Sequence, residues 1–182
     1  IFLIGLFSDF KILKSAKIRL FLQSIVILIF VIFFDLQILD TRIEILDQLL
    51  GQKIITYLFV SFCILIVLNG SNFLDGLNTL VLGYYLIVSY IIYKLELYNF
   101  IGLNSDIFLL WFLFLTLIYL LNFFNNLYLG DSGAYILGFI YSYILVVIFN
   151  NNNLISPYFI ILLLWYPGFE NLFSILRKIN IK

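Results

Sequence analysis

The chain contains no histidine and only one cysteine, Cys63, among its 182 residues. These absences exclude a disulfide framework and a zinc site built from Cys and His ligands. Cys63 lies inside an apolar run, where we interpret it as a small buried or lipid-facing side chain. Methionine is also absent, and no charged segment precedes the first apolar stretch, so we interpret the start of the chain as part of a helix and not as a signal peptide.

Charge is scarce as well. Only 11% of the residues are charged, whereas a soluble domain carries roughly 25%. Hydrophobic residues make up 64% of the chain, and the mean hydropathy is +1.15. The formal net charge is zero, which argues against nucleic acid as a partner. This composition predicts an integral membrane protein.

Six apolar stretches reach, or nearly reach, the roughly 20 residues that a helix needs to cross a bilayer. Helices are predicted because backbone groups in lipid must be satisfied within the segment, and the runs lack the alternation of barrel strands. We therefore predict an all-α polytopic transmembrane bundle, a single integral membrane domain over residues 1–182, with about six spanning helices and the end of an earlier helix at residues 1–7. The stretches are 18–36, 54–68, 78–93, 107–121, 134–149 and 155–165.

Four polar clusters, at residues 8–9, 69–78, 122–132 and 167–178, should all lie on one face of the membrane, because each spanning helix carries the chain to the other side. An acidic loop (35–52), a mixed loop (94–106) and an asparagine-rich turn (150–153) then lie on the opposite face. Polar groups that converge at a membrane boundary indicate a functional site. The clustered face also carries more basic residues, which predicts that it is cytoplasmic. These residues are Lys11, Lys14, Lys17, Arg19, Arg177, Lys178 and Lys182, against Arg42, Lys53 and Lys94 on the other face.

The polar clusters contain the side chains that phosphate chemistry requires. Carboxylate and amide oxygens without histidine or thiolate suit Mg²⁺ better than zinc, basic side chains bind anions, and glycines let the backbone approach a ligand. The oxygen set is Asp9, Asp75, Asp131, Asn69, Asn72, Asn78 and Asn122; the basic set is Lys17, Arg19, Arg177 and Lys178; the glycines are Gly70, Gly76, Gly130 and Gly133. We interpret the chain as an enzyme of phosphoryl transfer at the membrane surface.

The motifs themselves resemble a known family. Asn69-Gly-Ser-Asn72-Phe-Leu-Asp75-Gly-Leu-Asn78 is similar to the Asn-x-x-Asn-x-x-Asp-Gly-x-Asp segment of the polyprenyl-phosphate N-acetylhexosamine-1-phosphate transferases, a superfamily that includes the phospho-N-acetylmuramoyl-pentapeptide transferase and is also called glycosyltransferase family 4. Further matching segments follow in the expected order. They are Gly5 to Asp9 with Lys17, Arg19 and Gln23; Asn122 with Leu127 to Gly133 and Gly138; and Pro167 to Lys178.

The resemblance implies transfer of an amino-sugar 1-phosphate from a UDP-sugar to a polyprenyl phosphate, such as undecaprenyl phosphate, with release of UMP, at the cytoplasmic face of a bacterial inner membrane. It implies catalytic roles for Asp9, Asp75 and Asp131, with Mg²⁺, or Mn²⁺ in its place, bound by Asp131 and Asp9. A homodimer is also compatible with it. The substrate-binding residues that it implies are Asn69, Asn72, Gly76, Leu77, Asn78, Asn122, Tyr128, which would stack on the uracil, and Lys17, Arg19 and Arg177.

The chain departs from the family pattern at several positions. Ser8 stands where the first of two aspartates is usual, Asn78 replaces an aspartate, Glu170 stands where aspartate is common, and the spacing from Asn122 to Asp131 is one residue shorter. A catalytically silent family member therefore stays open as an alternative. We expect the chain to be part of a longer enzyme with further N-terminal helices and a His-rich C-terminal loop. The segments do not distinguish UDP-N-acetylglucosamine from a UDP-linked 6-deoxy amino sugar.

The same residues allow other interpretations. Residues 130–133 match a serine-protease nucleophile segment, but a chain without histidine cannot form that triad. Asn69 and Asn72 could cap the following helix, and Gly133 with Gly138 could serve helix packing. A transporter would place polar residues along a path near the middle of the bilayer, not at one boundary.

Overall fold

The computed structural model describes residues 1–152 and 154–180, with the side chains of the last two of these left out. This part of the chain contains eight α-helices, one 3₁₀-helix and no strand, which confirms the predicted all-α fold. The helices are α1 (Phe2–Asp9), α2 (Ala16–Phe33), α3 (Glu44–Leu50), α4 (Lys53–Leu74), α5 (Leu80–Lys94), α6 (Ser105–Phe123), α7 (Gly130–Asn151) and α8 (Pro157–Asn180), and the 3₁₀-helix is Leu97–Ile101.

Five of the described helices, α2, α4, α6, α7 and α8, are long and apolar enough to cross a membrane. Helix α5 has 15 residues, which at 1.5 Å per residue gives about 22 Å, less than the roughly 30 Å of a bilayer core. The 3₁₀-helix follows α5 in the chain. At one end of the bundle, Asn122 of α6 accepts the Thr79 N–H, and at the other, Asn151 of α7 donates to the Phe100 carbonyl. The predicted stretch 78–93 thus corresponds to α5, and α5 with the 3₁₀-helix connects the two ends of the bundle.

Helices α4 and α7 form the centre of the bundle. About half of each is buried inside the protein, 44% and 50%, whereas only 17% of α2, α6 and α8 is buried. The outer helices therefore present most of their apolar side chains to lipid. Because lipid offers no hydrogen bonds, polar side chains inside such a bundle need partners within the protein. Tyr85 stacks on Tyr141 with 4.4 Å between ring centroids, and their hydroxyls bond to Ser71 and Ser89.

Several helix boundaries differ from the predicted ones. Helix α4 continues through the first half of the 69–78 cluster, so the interpretation of Asn69 and Asn72 as caps of the next helix is wrong. The Asn69 amide donates to the Leu65 carbonyl one turn earlier, 3.0 Å away, which is compatible with a helix. The acidic loop contains α3, the mixed loop contains the 3₁₀-helix, and the first asparagines of the 150–153 turn end α7. Asn153, Ile181 and Lys182 lie outside the described residues.

Helix α8 also runs further than its apolar stretch indicates. The hydrophobic run predicts an end at residue 165, but the helix continues through Pro167 to Asn180. Its neighbour α4 runs in the same direction, and the two helices touch backbone to backbone. An added Cβ at Gly70 would lie 1.9 Å from the Pro167 carbonyl oxygen. Gly70 was expected to admit a ligand, and it instead admits another helix.

The packing alternative for Gly138 is supported by the same kind of contact. A Cβ at Gly138 would lie 2.8 Å from the Leu68 Cα, so α7 and α4 approach closely at this position. At Gly133 a Cβ would meet only the side chain of Leu129. Small residues at the centre of the bundle thus bring α4 against both α7 and α8, which fixes the position of the polar end of α4.

We predict that Gly70→Ala destabilises the protein, because the new methyl group would force α4 away from the Pro167 backbone. Overpacking of this kind costs about 1–3 kcal/mol. The measurement is the thermal midpoint of the detergent-solubilised protein. Gly168→Ala is the matched control, since a Cβ there has no described neighbour closer than 3.9 Å. Equal thermal midpoints for the two variants would contradict the proposed backbone contact.

Candidate functional site

Asp131, in the first turn of α7, is the centre of the polar end of the bundle. Its Oδ2 accepts hydrogen bonds from Arg19 Nη1 at 2.6 Å and from Ser8 Oγ at 2.5 Å, and its Oδ1 accepts one from Asn72 Nδ2 at 2.7 Å. Arg19 also donates to Ser8. The side chains of Arg19 and Asp131 are 23% and 29% exposed. One carboxylate therefore joins α1, α2, α4 and α7.

Asp9, the last residue of α1, binds the start of α7. Its two carboxylate oxygens accept the backbone N–H groups of Asp131 and Ser132 at 2.8 and 3.1 Å. The first N–H groups of a helix have no partner within the helix and carry partial positive charge, so an aspartate there is stabilising. Gly130 makes this approach available, because its φ is +66° and a Cβ would lie only 3.0 Å from the Asp9 carboxylate.

Asp75 lies just after α4 and faces the other two carboxylates. Burial, followed by the negative charges of Asp131 and Asp9, raises the pKa of Asp75 to about 7. Arg19 pairs directly with Asp131, so this group of three carboxylates is only partly neutralised by the described side chains. An excess of negative charge of this kind favours a bound cation.

The asparagines of the site hold its loops together. Buried Asn122 accepts the Thr79 N–H at 2.6 Å and donates to the Leu127 carbonyl at 2.7 Å. Asn78 donates to Asn125 at 2.8 Å. The polar atoms of Asn122 thus connect the start of α5 with the loop before α7, and the motif residues Asn78 and Asn122 belong to one hydrogen-bonded set. Asn125 belongs to this set as well, and the motif comparison did not single it out.

The exposed part of the site lies beside these loops. Gly76 and Leu77 are exposed between α4 and α5, and Tyr128 is 75% exposed in the loop before α7. The Tyr128 ring is therefore free to take a flat partner. These are the positions that the resemblance assigns to the nucleoside.

One turn deeper in the bundle, Asn69 donates to the Oε1 of Gln23 at 3.1 Å. Gln23 is fully buried, and it lies on α2 four residues after Arg19, so the two side chains share a face. In the sequence, Gln23 is marked only by the resemblance to the family. Its signal was present, because a glutamine in the middle of a spanning helix requires a partner.

The basic residues separate into two groups. Arg19 is in the cluster, and its buried Nε has no acceptor among the described residues. Lys17 is exposed at the start of α2 and makes no ion pair in the described part of the chain. Arg177 pairs with Glu170 on its own helix at 2.5 Å. Lys178 lies over the ring of Phe73, 5.1 Å from its centroid, and so reaches the same end of α4.

The donor chemistry fits a magnesium ion. The described residues contain no cluster of three or more acidic, His or Cys side chains in metal-binding geometry, but Mg²⁺ in phosphoryl-transfer sites is usually held by only one or two carboxylates, with water and substrate phosphates. An ionised carboxylate has about four acceptor positions. Asp131 uses three and Asp9 uses two, so each retains capacity for a cation.

Fold and polar end together define a multi-pass membrane protein with a carboxylate-rich site at one end of its helices. A family model described as glycosyl transferase family 4 matches residues 1–149 of the chain. The match covers most of the 182 residues, and the chain belongs to this family, as its motifs predicted. Membership implies a polyprenyl-phosphate sugar-phosphate transferase that uses a sugar nucleotide. No curated protein and no solved structure matched the chain.

We predict that Asp9→Ala lowers the thermal midpoint, because it removes the partner of two helix N–H groups. Loss of such a cap costs about 0.5–2 kcal/mol. Asp106→Ala is the control, since Asp106 also lies in the first turn of a helix but its side chain caps no backbone group. If both variants unfold at the same temperature as the wild type, Asp9 does not cap α7.

Proposed function

We propose that the protein transfers an N-acetylamino-sugar 1-phosphate from a UDP-sugar to undecaprenyl phosphate on the cytoplasmic membrane face and releases UMP. Such a product would begin the synthesis of a cell-envelope glycan. The observation that carries the proposal is the convergence of Asp131, Arg19, Asn72 and Ser8 in one hydrogen-bonded cluster. Family membership supports the general reaction, and the cluster supports the assignment of its residues.

An apolar groove beside the site supports a lipid substrate. Helices α4, α7 and α8 enclose a cavity of about 430 Å³ whose lining is almost entirely apolar. It extends along α4 as far as Val67, two residues before Asn69, and residues 38–46 on the other face of the membrane line its far end. A polyprenyl tail in this groove would bring its phosphate to the polar end of α4.

In the proposed reaction, an oxygen of the lipid phosphate attacks the β-phosphorus of the UDP-sugar. The bond between that phosphorus and the bridging oxygen breaks, and UMP leaves with the electron pair. A phosphate monoester is largely ionised near pH 7, since its second pKa is about 6, so the lipid can attack without a protein base. Ser8 in place of an aspartate is compatible with this chemistry.

We assign the remaining roles from the resemblance, to residues whose positions are compatible with them. Arg19, whose side chain is 23% exposed, would bind a phosphate oxygen and stabilise charge in the transferring step. Asn72 and Ser8 would orient the Asp131 carboxylate, and Tyr128 would stack on the uracil. Asp131 and Asp9 would hold Mg²⁺, which when bound neutralises pyrophosphate charge.

A catalytically silent protein is the second candidate, and one observation favours it. The Arg19–Asp131 ion pair already neutralises the carboxylate that the reaction would assign to the metal. A silent protein would fold into the same structure and release no UMP.

We predict that Asp131→Asn lowers UMP release by a factor of about 10²–10³, as expected when a charge that acts in the transition state is removed. Membranes containing the full-length protein would receive undecaprenyl phosphate and UDP-N-acetylglucosamine, with Mg²⁺ or with EDTA. EDTA should abolish release by the wild type. Asp106→Asn, in the first turn of α6 at the opposite end of the bundle, is the control and should keep wild-type activity.

Three results would each contradict one part of the proposal: the activity, the metal or the assigned site. Wild-type protein that is folded but releases no UMP with any UDP-amino sugar supports the silent alternative. UMP release that is insensitive to EDTA contradicts the proposed need for Mg²⁺. UMP release that is unchanged in Asp131→Asn contradicts the proposed role of Asp131.

Tyr128 provides a separate test of the nucleotide position. Stacking of a base on an aromatic ring contributes about 1–3 kcal/mol, so Tyr128→Ala should raise the KM for the UDP-sugar by about fivefold or more, whereas Tyr128→Phe should leave it close to the wild-type value. Tyr90→Ala, which changes an exposed tyrosine of α5, is the control. Equal KM values for Tyr128→Ala and the wild type would place the uracil elsewhere.

A further inference from the structure

Helix α8 contains a proline in its interior, Pro167. Proline has no N–H, so in a helix the carbonyl four residues earlier loses its partner. Here that carbonyl belongs to Leu163, which is itself buried. An unpaired carbonyl inside a membrane protein is costly because lipid supplies no donor. The helix nevertheless continues without interruption to Asn180.

The missing donor comes from another helix. The Tyr84 hydroxyl of α5 donates a hydrogen bond to the Leu163 carbonyl. The Tyr84 ring packs edge-on against Tyr166, with 5.8 Å between centroids, which holds the hydroxyl beside the proline turn. We propose that Tyr84 is a positioning residue: its hydroxyl replaces the helix hydrogen bond that Pro167 removes and so fixes α8 in place.

The hydrogen bond from Tyr84 to α8 is connected to the candidate site through Gly70. The Pro167 backbone packs directly on Gly70 of α4, which lies in the same helical turn as Asn69 and Asn72. Asn72 holds the Asp131 carboxylate, and Asn69 holds Gln23. The position of α8 at Pro167 therefore sets the position of the turn that presents both asparagines. The consequence for catalysis rests on the proposed function.

A double-mutant cycle tests the inference. Tyr84→Phe removes the donor, and Pro167→Ala restores the N–H of residue 167 while it keeps the backbone that touches Gly70. In the Pro167→Ala protein the Leu163 carbonyl has its helical partner again, so the Tyr84 hydroxyl becomes dispensable. Tyr90→Phe is the control, because Tyr90 lies on the same helix with an exposed side chain.

Loss of one hydrogen bond costs about 1 kcal/mol of stability, and a displacement of the asparagine turn that raises the activation free energy by the same amount lowers the rate about fivefold. Tyr84→Phe should lower kcat about fivefold, measured well below the thermal midpoint, with KM within about twofold, and should lower the midpoint by about 2–4 °C. In the Pro167→Ala background the same substitution should change kcat by less than about twofold and leave the midpoint unchanged. Tyr90→Phe should match the wild type.

Effects of Tyr84→Phe that are equal in both backgrounds would overturn the inference, because additive changes mean that the hydroxyl and the proline act independently. Wild-type kcat and midpoint in Tyr84→Phe would overturn it as well. The thermal cycle does not depend on activity. The wild type could release no UMP while the effects of Tyr84→Phe and Pro167→Ala on the thermal midpoint are non-additive. That result would contradict the proposed function and would still support the hydrogen bond from Tyr84 in place of the proline N–H.

Discussion

The ion pair between Asp131 and Arg19 is the interaction on which the polar end of the bundle depends. A carboxylate that is largely buried at the edge of a membrane is costly without a partner, and its partner comes from a different helix. Ser8 and Asn72 complete the coordination from two more helices. Apolar packing can bring spanning helices together in many rotations, but this carboxylate is satisfied here because α1, α2 and α4 turn Ser8, Arg19 and Asn72 towards it.

The spanning helices could be predicted from the sequence because a bilayer leaves the backbone few choices. The positions at which they end could not be predicted as well. Asn69 lies inside α4 with its side chain bonded to the carbonyl one turn earlier, and α8 continues past Pro167, where Tyr84 supplies a donor. In both cases the helix makes contacts that apolar patterning does not record.

Motif comparison identified the residues of the candidate site, and crossing counts predicted that they lie at one end. Their partners were harder to predict. Asp9 binds the backbone of α7, and Gly70 faces a helix and not a ligand. Gln23 was not selected because a neutral side chain in an apolar run does not reveal which face of the helix it occupies. The partners of Asp9, Gly70 and Gln23 are all set by contacts between helices that are distant in the sequence.

The bond from Asp9 to the start of α7 spans 122 positions in the chain. During synthesis, α1 leaves the ribosome and enters the membrane before α7 is made. The carboxylate cluster therefore cannot form while the chain is still being made through α6, and no intermediate that lacks α7 contains it. The complete site is in this way restricted to molecules that have inserted at least as far as α7.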